Sequence, residues 1–228
     1  MARIPRNLIL EIDCQTHKIW RGHNKENNIG TDDEKLTYLT YLNELLPKQL
    51  NELNAFDLLS NHTHELFEIK DKIQFSNLMR DHHSRYGMFF NRKHNRQGKV
   101  AYQRPKTCLI ECDEYSIQAT FYIHANAVRA GITKNACNYK WSTHNLYAFG
   151  KRKDFMKYVK FPKWYMNLGN TWEDRRRKYR QLFDLYIKKN GLITQTFLYN
   201  YFFGNTLWML EQSKVVSDWT KSRTKSPP

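Results

Sequence analysis

The chain lacks any cysteine pair of the CxxC kind. Its four cysteines, Cys14, Cys108, Cys112 and Cys137, are scattered, and the step from Cys108 to Cys112 is wrong for a zinc knuckle. The expectation is four reduced thiols, mostly buried, in a cytosolic protein. There is no long apolar run and no lipidation signal, so a membrane-surface protein is disfavoured. The start, Met1 to Arg6, is basic, but the apolar stretch after it is interrupted by Glu11 and Asp13, which excludes a secretory signal. There are no internal repeats. Acidic residues are scarce: 22 Asp and Glu stand against 37 Lys and Arg, a formal net charge of +15.

The 37 Lys and Arg are spread over the whole chain of 228 residues, so the excess is not one basic tail. Such a surface attracts polyanions, and nucleic acid is the commonest partner. The expected compartment is the cytoplasm, beside the nucleoid. With 40% hydrophobic residues the chain can build a core. Its length suits one ordinary domain with an appendage, or two small ones.

The pattern of elements points to an α+β fold. Residues 17–22 alternate like a strand. Thr31 and Glu34 form a capping box ahead of Leu36, Leu39, Leu42 and Leu46 at helical spacing, and Pro47 marks the end of that helix or a kink. Ala55–Leu59 and His62–Ile69 read as strands. Phe75, Leu78, Met79, His82, Tyr86, Phe89 and Phe90 mark a second helix, with His82 in the core and His83 on the surface. A basic loop, 91–99, turns at Gly98. A strand over 103–111 and a third helix from an Asp113 N-cap to a stop at Gly131 follow. The order suggests a ferredoxin-like split βαβ antiparallel sheet, helices on one face and the other left for ligands.

Two motifs carry chemistry. In a strand, His62, His64, Leu66 and Glu68 share one face, while Thr63, Glu65, Phe67 and Ile69 share the other. Two imidazoles pointing the same way can chelate one ion. In the third helix, Tyr122 and Asn126 stand four apart, on one face. If Asn126 completes the ion's shell, Tyr122 is held beside any phosphate the ion binds. A divalent cation polarises a phosphodiester, and a tyrosine attacking it leaves a covalent phosphotyrosine. Each signal also has a bland reading: a structural HxH pair, a core tyrosine, an ordinary helix face.

From about Gly150 the composition shifts. Residues 151–228 hold 17 Lys and Arg against 6 Asp and Glu. Arg175, Arg176, Arg177 and Lys178 lie in a helical stretch whose apolar side carries Tyr179, Leu182, Phe183, Tyr186 and Ile187. Trp164, Tyr165, Trp172, Tyr199, Tyr201 and Phe202 are interleaved. Aromatics among cations suit the stacked bases of single strands; a small helical cap with an aromatic core is the equal alternative. The division expected is a domain over 1–149 and a basic, mainly helical extension over 150–228, its last ten residues disordered.

The ordered motifs resemble the REP-associated tyrosine transposases, single-tyrosine members of the HUH endonuclease superfamily. The matching segments are Met1 to Arg6, Trp20-Arg21-Gly22, Asp32-Asp33-Glu34, Asn61-His62-Thr63-His64, Tyr86 with Asn91-Arg92, Gly98, Tyr122 to Gly131, and Tyr139-Lys140-Trp141-Ser142. They span roughly residues 1–149. The resemblance implies a metal-dependent single-stranded DNA endonuclease and strand transferase that recognises a hairpin of a repetitive extragenic palindrome and cuts beside it. It implies His62, His64 and Asn126 as ligands of Mg2+ or Mn2+, and Tyr122 as nucleophile. Candidate DNA contacts are Arg21, Arg92, Lys93, Arg96, Lys99, Arg129, Arg175, Arg176 and Arg177. The protein would act as a monomer or homodimer.

Three departures stand out. Thr63 replaces a bulky hydrophobe, with some loss of packing expected. Ala127 replaces a proline, which should relax a kink. Leu59-Ser60 replaces a Leu-Met-Pro lead-in. The rival readings are a hairpin-binding protein that has lost catalysis, and a basic RNA-binding protein in which both histidines are structural.

Overall fold

The computed structural model describes residues 4–111, 113–190 and 200–224. Four antiparallel strands form its centre: β1 (Gln15–Arg21), β2 (Glu52–Leu58), β3 (His62–Glu68) and β4 (Lys106–Ile110). A two-residue β5 (Phe202–Phe203) joins β4 in parallel, and the order across the sheet is β2-β3-β1-β4-β5. The first strand lies between the third and fourth, as a ferredoxin-like frame requires.

Helix α1 (Asp32–Leu45) starts with the expected capping box: Thr31 Oγ1 accepts from Glu34 N, and Glu34 Oε2 accepts from Thr31 N. It stops just before Pro47, which stands in a 3-10 turn over Leu46–Lys48. Leu39, Leu42 and Leu46 are buried, but Leu36 is 47% exposed and Tyr38 takes the core position instead. Helix α2 (Lys72–Lys93), capped by Asp71, buries Phe75, Leu78, Met79, His82, Tyr86 and Phe90. It reaches Lys93, so Arg92 and Lys93 belong to its last turn and not to the loop. His83 is half-buried and not fully at the surface: its ring stacks on Trp20 with centroids 4.9 Å apart.

The third expected helix is broken. Helix α3 (Asp113–His124) and the single turn α4 (Asn126–Arg129) are separated at Ala125, where ψ swings to −5°. The kink therefore exists without a proline at position 127. Gly131, at φ +70°, ends the turn. Residue 112 and the side chain of Asp113 lie outside the described residues, and with them Cys112 and the capping role read for Asp113. Cys14, Cys108 and Cys137 are free thiols.

α1 and α2 cover one sheet face, burying Phe56, Leu58, Phe67 and Ile69 with their own apolar side chains. The opposite face is not left bare. Ala55, Leu66, Cys108 and Ile110 on that side pack against Ala119, Phe121, Tyr122 and Ile123 of α3. The same cluster takes in α5 (His144–Phe149), α6 (Lys163–Met166) and α7 (Trp172–Asn190) through Tyr147, Trp164, Tyr165, Tyr179, Phe183 and Tyr186. Residues on both sides of position 150 thus share one core. Each buried aromatic contributes on the order of 1.5–3 kcal/mol. The segment Tyr139 to Ser142 lies along β2, where Leu58 N donates to Trp141 O, and Trp141 Nε1 donates to Asp32 Oδ1. A last helix, α8 (Thr206–Thr224), includes residues 219–224 of the tail expected to be disordered. Tyr199 and residues 225–228 fall outside the described residues. No described helix is long and apolar enough to cross a membrane.

Between β3 and α1 lies a buried polar network. Lys18 and Glu65 face each other across β1 and β3 and form a fully buried ion pair at 2.7 Å. Tyr38 donates to Glu65 Oε1 at 2.6 Å, and Thr63 Oγ1 donates to it at 3.0 Å. Thr63 does not leave a hole in the apolar packing; its hydroxyl joins this network. Burial lowers the Lys18 ammonium to about 8, with Glu65 pulling the other way. Burial works to raise Glu65, but Lys18, His82 and the hydrogen bond from Tyr38 hold its carboxyl below the ordinary value.

Several histidines are buried neutral. Burial lowers His82 to about 4, and its Nε2 donates to the carbonyl of Tyr38. Burial likewise lowers His144 to about 4. In the unfolded chain these rings take up a proton near pH 6.5; in the fold they do not until pH falls to about 4. Between those values the unfolded state binds more protons, so stability is lost as pH falls. Urea denaturation is expected to show stability dropping from pH 6.5 toward pH 4 by about 1.4 kcal/mol per pH unit for each such histidine. A flat profile would contradict this burial.

Candidate functional site

The register of β1 against β3 builds the site. Arg21 stands opposite His62, Ile19 opposite His64, and His17 opposite Leu66. Directly opposed residues point to the same face. One sheet face therefore carries His17, Ile19 and Arg21 beside His62, His64 and Leu66. Toward Leu66 this face is sealed under α3. Toward Arg21 and His62 it opens into a cavity of about 490 Å³.

Gly22 ends β1, and a side chain there would strike the carbonyl of Glu26. Beyond it, Tyr102 N donates to Arg21 O, so the chain ahead of β4 runs alongside the end of β1. This brings Tyr102, Gln103, Arg104 and Lys106 to the cavity wall. α3 and α4 supply Tyr122, Asn126 and Arg129. The two histidines, the tyrosine and the asparagine singled out from sequence thus line one cavity, with Arg21 and Arg129 beside them.

The ring centroids of His62 and His64 are 5.0 Å apart, and those of His64 and Tyr122 are 5.7 Å apart. His62 Nδ1 lies 2.6 Å from Asn61 Oδ1, which can only accept when the ring nitrogen is protonated there. His64 Nδ1 lies 2.8 Å from His17 Nε2. Arg129 ties the two helical residues together. Its Nη2 donates to Tyr122 O at 2.6 Å and to Asn126 Oδ1 at 3.2 Å, and its Cζ sits 3.7 Å from the centroid of the Tyr122 ring. A guanidinium over a phenol face is attracted by the ring quadrupole and favours negative charge on the oxygen. Tyr122 is only 2% exposed.

Burial, helped by the charge of Arg21, lowers His62 to about 4. Burial also pushes His64 well below the ordinary value, with His17 and His62 adding to it. Both rings are neutral at neutral pH, the form that ligates metal. Among the described residues no group of three His, Cys, Asp or Glu is placed to hold a metal. A third protein ligand here would be a carboxamide, and Asn126 lines the same cavity. Two imidazole nitrogens and one amide oxygen fit a divalent ion whose shell is filled by phosphate and water; the imidazoles tilt preference toward softer ions than Mg2+.

The remaining basic candidates do not line the cavity. Lys93 pairs with Asp33, Arg96 with Glu26, and Arg92 and Lys99 are exposed. On α7, Arg175 donates to Met166 O, Arg177 pairs with Asp174, and the Arg176 guanidinium packs against Gly150. Sequence reasoning missed His17, Arg104 and Lys106. It also missed Asp57, which stands opposite His64 on β2 and whose carboxyl burial pushes well above the ordinary value. The signal for His17 was present in the alternation of β1: residues 17, 19 and 21 share a face.

The family described as IS200-like transposase matches residues 11–126, just over half of the chain and ending on Asn126. The chain belongs to that family. The solved structure of a REP-associated tyrosine transposase bound to a REP hairpin is similar, with a TM-score of 0.53 at 16% identity. The superposition covers 71% of this chain and 99% of that one, and at this identity it speaks for the fold. No curated protein matches the chain.

The transposase holds its tyrosine helix from behind. His124, two residues after Tyr122, has Nδ1 2.6 Å from Tyr179 OH on α7 and Nε2 2.7 Å from Thr143 Oγ1. Tyr179 OH also lies 3.2 Å from His144 Nδ1. Tyr179→Phe would leave these buried nitrogens short of a partner. The expected loss is about 1–3 kcal/mol in urea unfolding. An unchanged midpoint would show that the hydroxyl does not anchor α3.

Proposed function

We propose that this transposase is a metal-dependent single-stranded DNA endonuclease and strand transferase. It recognises a DNA hairpin of the repetitive extragenic palindrome kind and cuts beside it through a phosphotyrosine. The observation that carries the reading is the shared cavity: neutral His62 and His64, Asn126, and Tyr122 under the Arg129 guanidinium. Arg21, Arg104 and Lys106 complete a cationic rim, and among the described residues no carboxylate lines the cavity. That charge pattern suits a phosphodiester.

In this reading His62, His64 and Asn126 hold Mg2+ or Mn2+. The ion, when bound, polarises a non-bridging phosphate oxygen. The chain's own residues do the rest. Arg129 stabilises the phenolate of Tyr122 and keeps its ring in place. Arg21, Arg104 and Lys106 grip the backbone on either side of the scissile phosphate. Tyr122 Oη forms a bond to phosphorus as the bond to the departing strand's oxygen breaks, and that oxygen leaves as a hydroxyl. The phosphotyrosine keeps the bond energy, so a second strand's hydroxyl can displace the tyrosine and complete transfer. Leu59, Ile19 and Tyr102 add an apolar part to the cavity wall. The exposed cations of Arg92 and Lys99 and the basic α7 extend the attraction to the rest of the hairpin, and the segment after position 150 caps the sheet that carries the site. The enzyme works in the cytoplasm, on the nucleoid, as a monomer or homodimer.

The test is incubation with labelled hairpins and Mn2+, followed by a denaturing gel. The native chain is expected to give a covalent protein–DNA band. Tyr122→Phe should bind hairpin with native affinity and give no band, and His64→Ala should lose cleavage by two orders of magnitude or more, roughly the scale of lost metal activation. An adduct formed by Tyr122→Phe would place the nucleophile elsewhere. Hairpin affinity should also fall steeply with salt, by about a factor of 10³ or more between 50 and 200 mM if six or more phosphates are contacted.

A further inference from the structure

We propose that His17 is a positioning residue that fixes His64 with its Nε2 turned toward the metal; this rests on the reading of His64 as a ligand. His17 lies on β1, one step along the shared face from the residue opposite His64. The two rings stack with centroids 5.0 Å apart and planes within 18°, and His17 Nε2 meets His64 Nδ1 at 2.8 Å. Both side chains are buried. Rotating His64 away would break this hydrogen bond in a place where water cannot replace it.

The contact also decides the tautomer. Two neutral imidazoles can share only one proton along this line. When His64 Nε2 gives its lone pair to an ion, its proton sits on Nδ1 and is donated to His17 Nε2. His17 must then carry its own proton on Nδ1. A ligand imidazole anchored through its far nitrogen is more basic and better oriented than a free one. His17 also touches the nucleophile, with its ring 6.0 Å from that of Tyr122 in an edge contact. It thereby sets the spacing between ligand and attacking group from the sheet side.

The test compares His17→Phe, which keeps the ring volume and loses the acceptor, with His17→Gln, whose carbonyl can still accept. Mn2+ binding to the full-length chain is followed by the electron paramagnetic resonance of free Mn2+. His17→Phe should weaken binding tenfold to a hundredfold, and His17→Gln should recover most of that loss. Equal losses in both variants, or native affinity in His17→Phe, would overturn the proposal. His64→Ala is the control for the underlying reading: if it keeps native Mn2+ affinity, the metal site itself is wrong; if it alone loses affinity, only the role of His17 is. A second arm needs no variant. Long-range proton–nitrogen NMR of the native chain with Mg2+ should show His64 protonated on Nδ1, and protonation on Nε2 would refute the positioning role even where His17→Phe fails to fold.

Discussion

The buried Lys18–Glu65 pair sets the geometry on which everything else rests. It locks β1 to β3 in one register, and a slip of one residue would turn every side chain of β3 to the wrong face. With the register as it stands, Thr63 and Glu65 face α1 while His62 and His64 face the cavity. Removing one partner of a buried pair leaves an uncompensated charge, worth on the order of 3–5 kcal/mol. Tyr38 and Thr63 share the load by hydrogen-bonding the same carboxylate. The polar core on one side of the sheet is thus the reason that the other side can present two aligned imidazoles.

The helical region after position 150 is part of the same logic. Most of its aromatic residues form core and not a stacking platform: Trp164, Tyr165, Tyr179, Phe183 and Tyr186 are buried in the cluster that includes α3, while Trp172 and Tyr201 stay exposed. The tyrosine helix needs support because it is short and ends in a break at Ala125. Tyr179 and Thr143 hold His124 from behind, and Arg129 closes the break from the front. Asn126 sits just past the break, so its direction depends on both.

Much of this was legible in the sequence where periodicity is strict. The two faces of β3 follow from a period of two, and the capping box at Thr31 follows from hydrogen-bonding chemistry alone. The four residues brought to one cavity were also readable, because their motif spacing survives without a view of the fold. What was hidden involves partners distant in the chain. Tyr38 displaces Leu36 from the core because Glu65 needs its hydroxyl, and Glu65 is far away in sequence. A lone histidine on a short strand, such as His17, gives no sign of its partner until the register is known. The break at Ala125 has neither proline nor glycine to announce it. The run Arg175 to Arg177 looks like a nucleic-acid contact by composition, yet Arg175 and Arg176 are engaged within the protein, while Arg104 and Lys106, ahead of and at the start of β4, join Arg21 and Arg129 at the cavity.

Burial of the histidines is what allows two imidazoles to sit among so many cations in so small a space. Arg21, Arg104, Lys106 and Arg129 all border the cavity. Imidazolium rings there would add two more positive charges and could not ligate a metal. Desolvation opposes that charge, and the surrounding cations oppose it further, so each reinforces the other. Arg21 and Arg129 beside the cavity therefore help to keep both histidines deprotonated. A carboxylate in place of either histidine would pair with the neighbouring arginines and fill the cavity with protein ion pairs. Neutral imidazoles leave the cavity wall positive. Neutral imidazole and carboxamide side chains are thus matched to a strongly positive cavity, in which the Arg129 guanidinium lies over the Tyr122 ring.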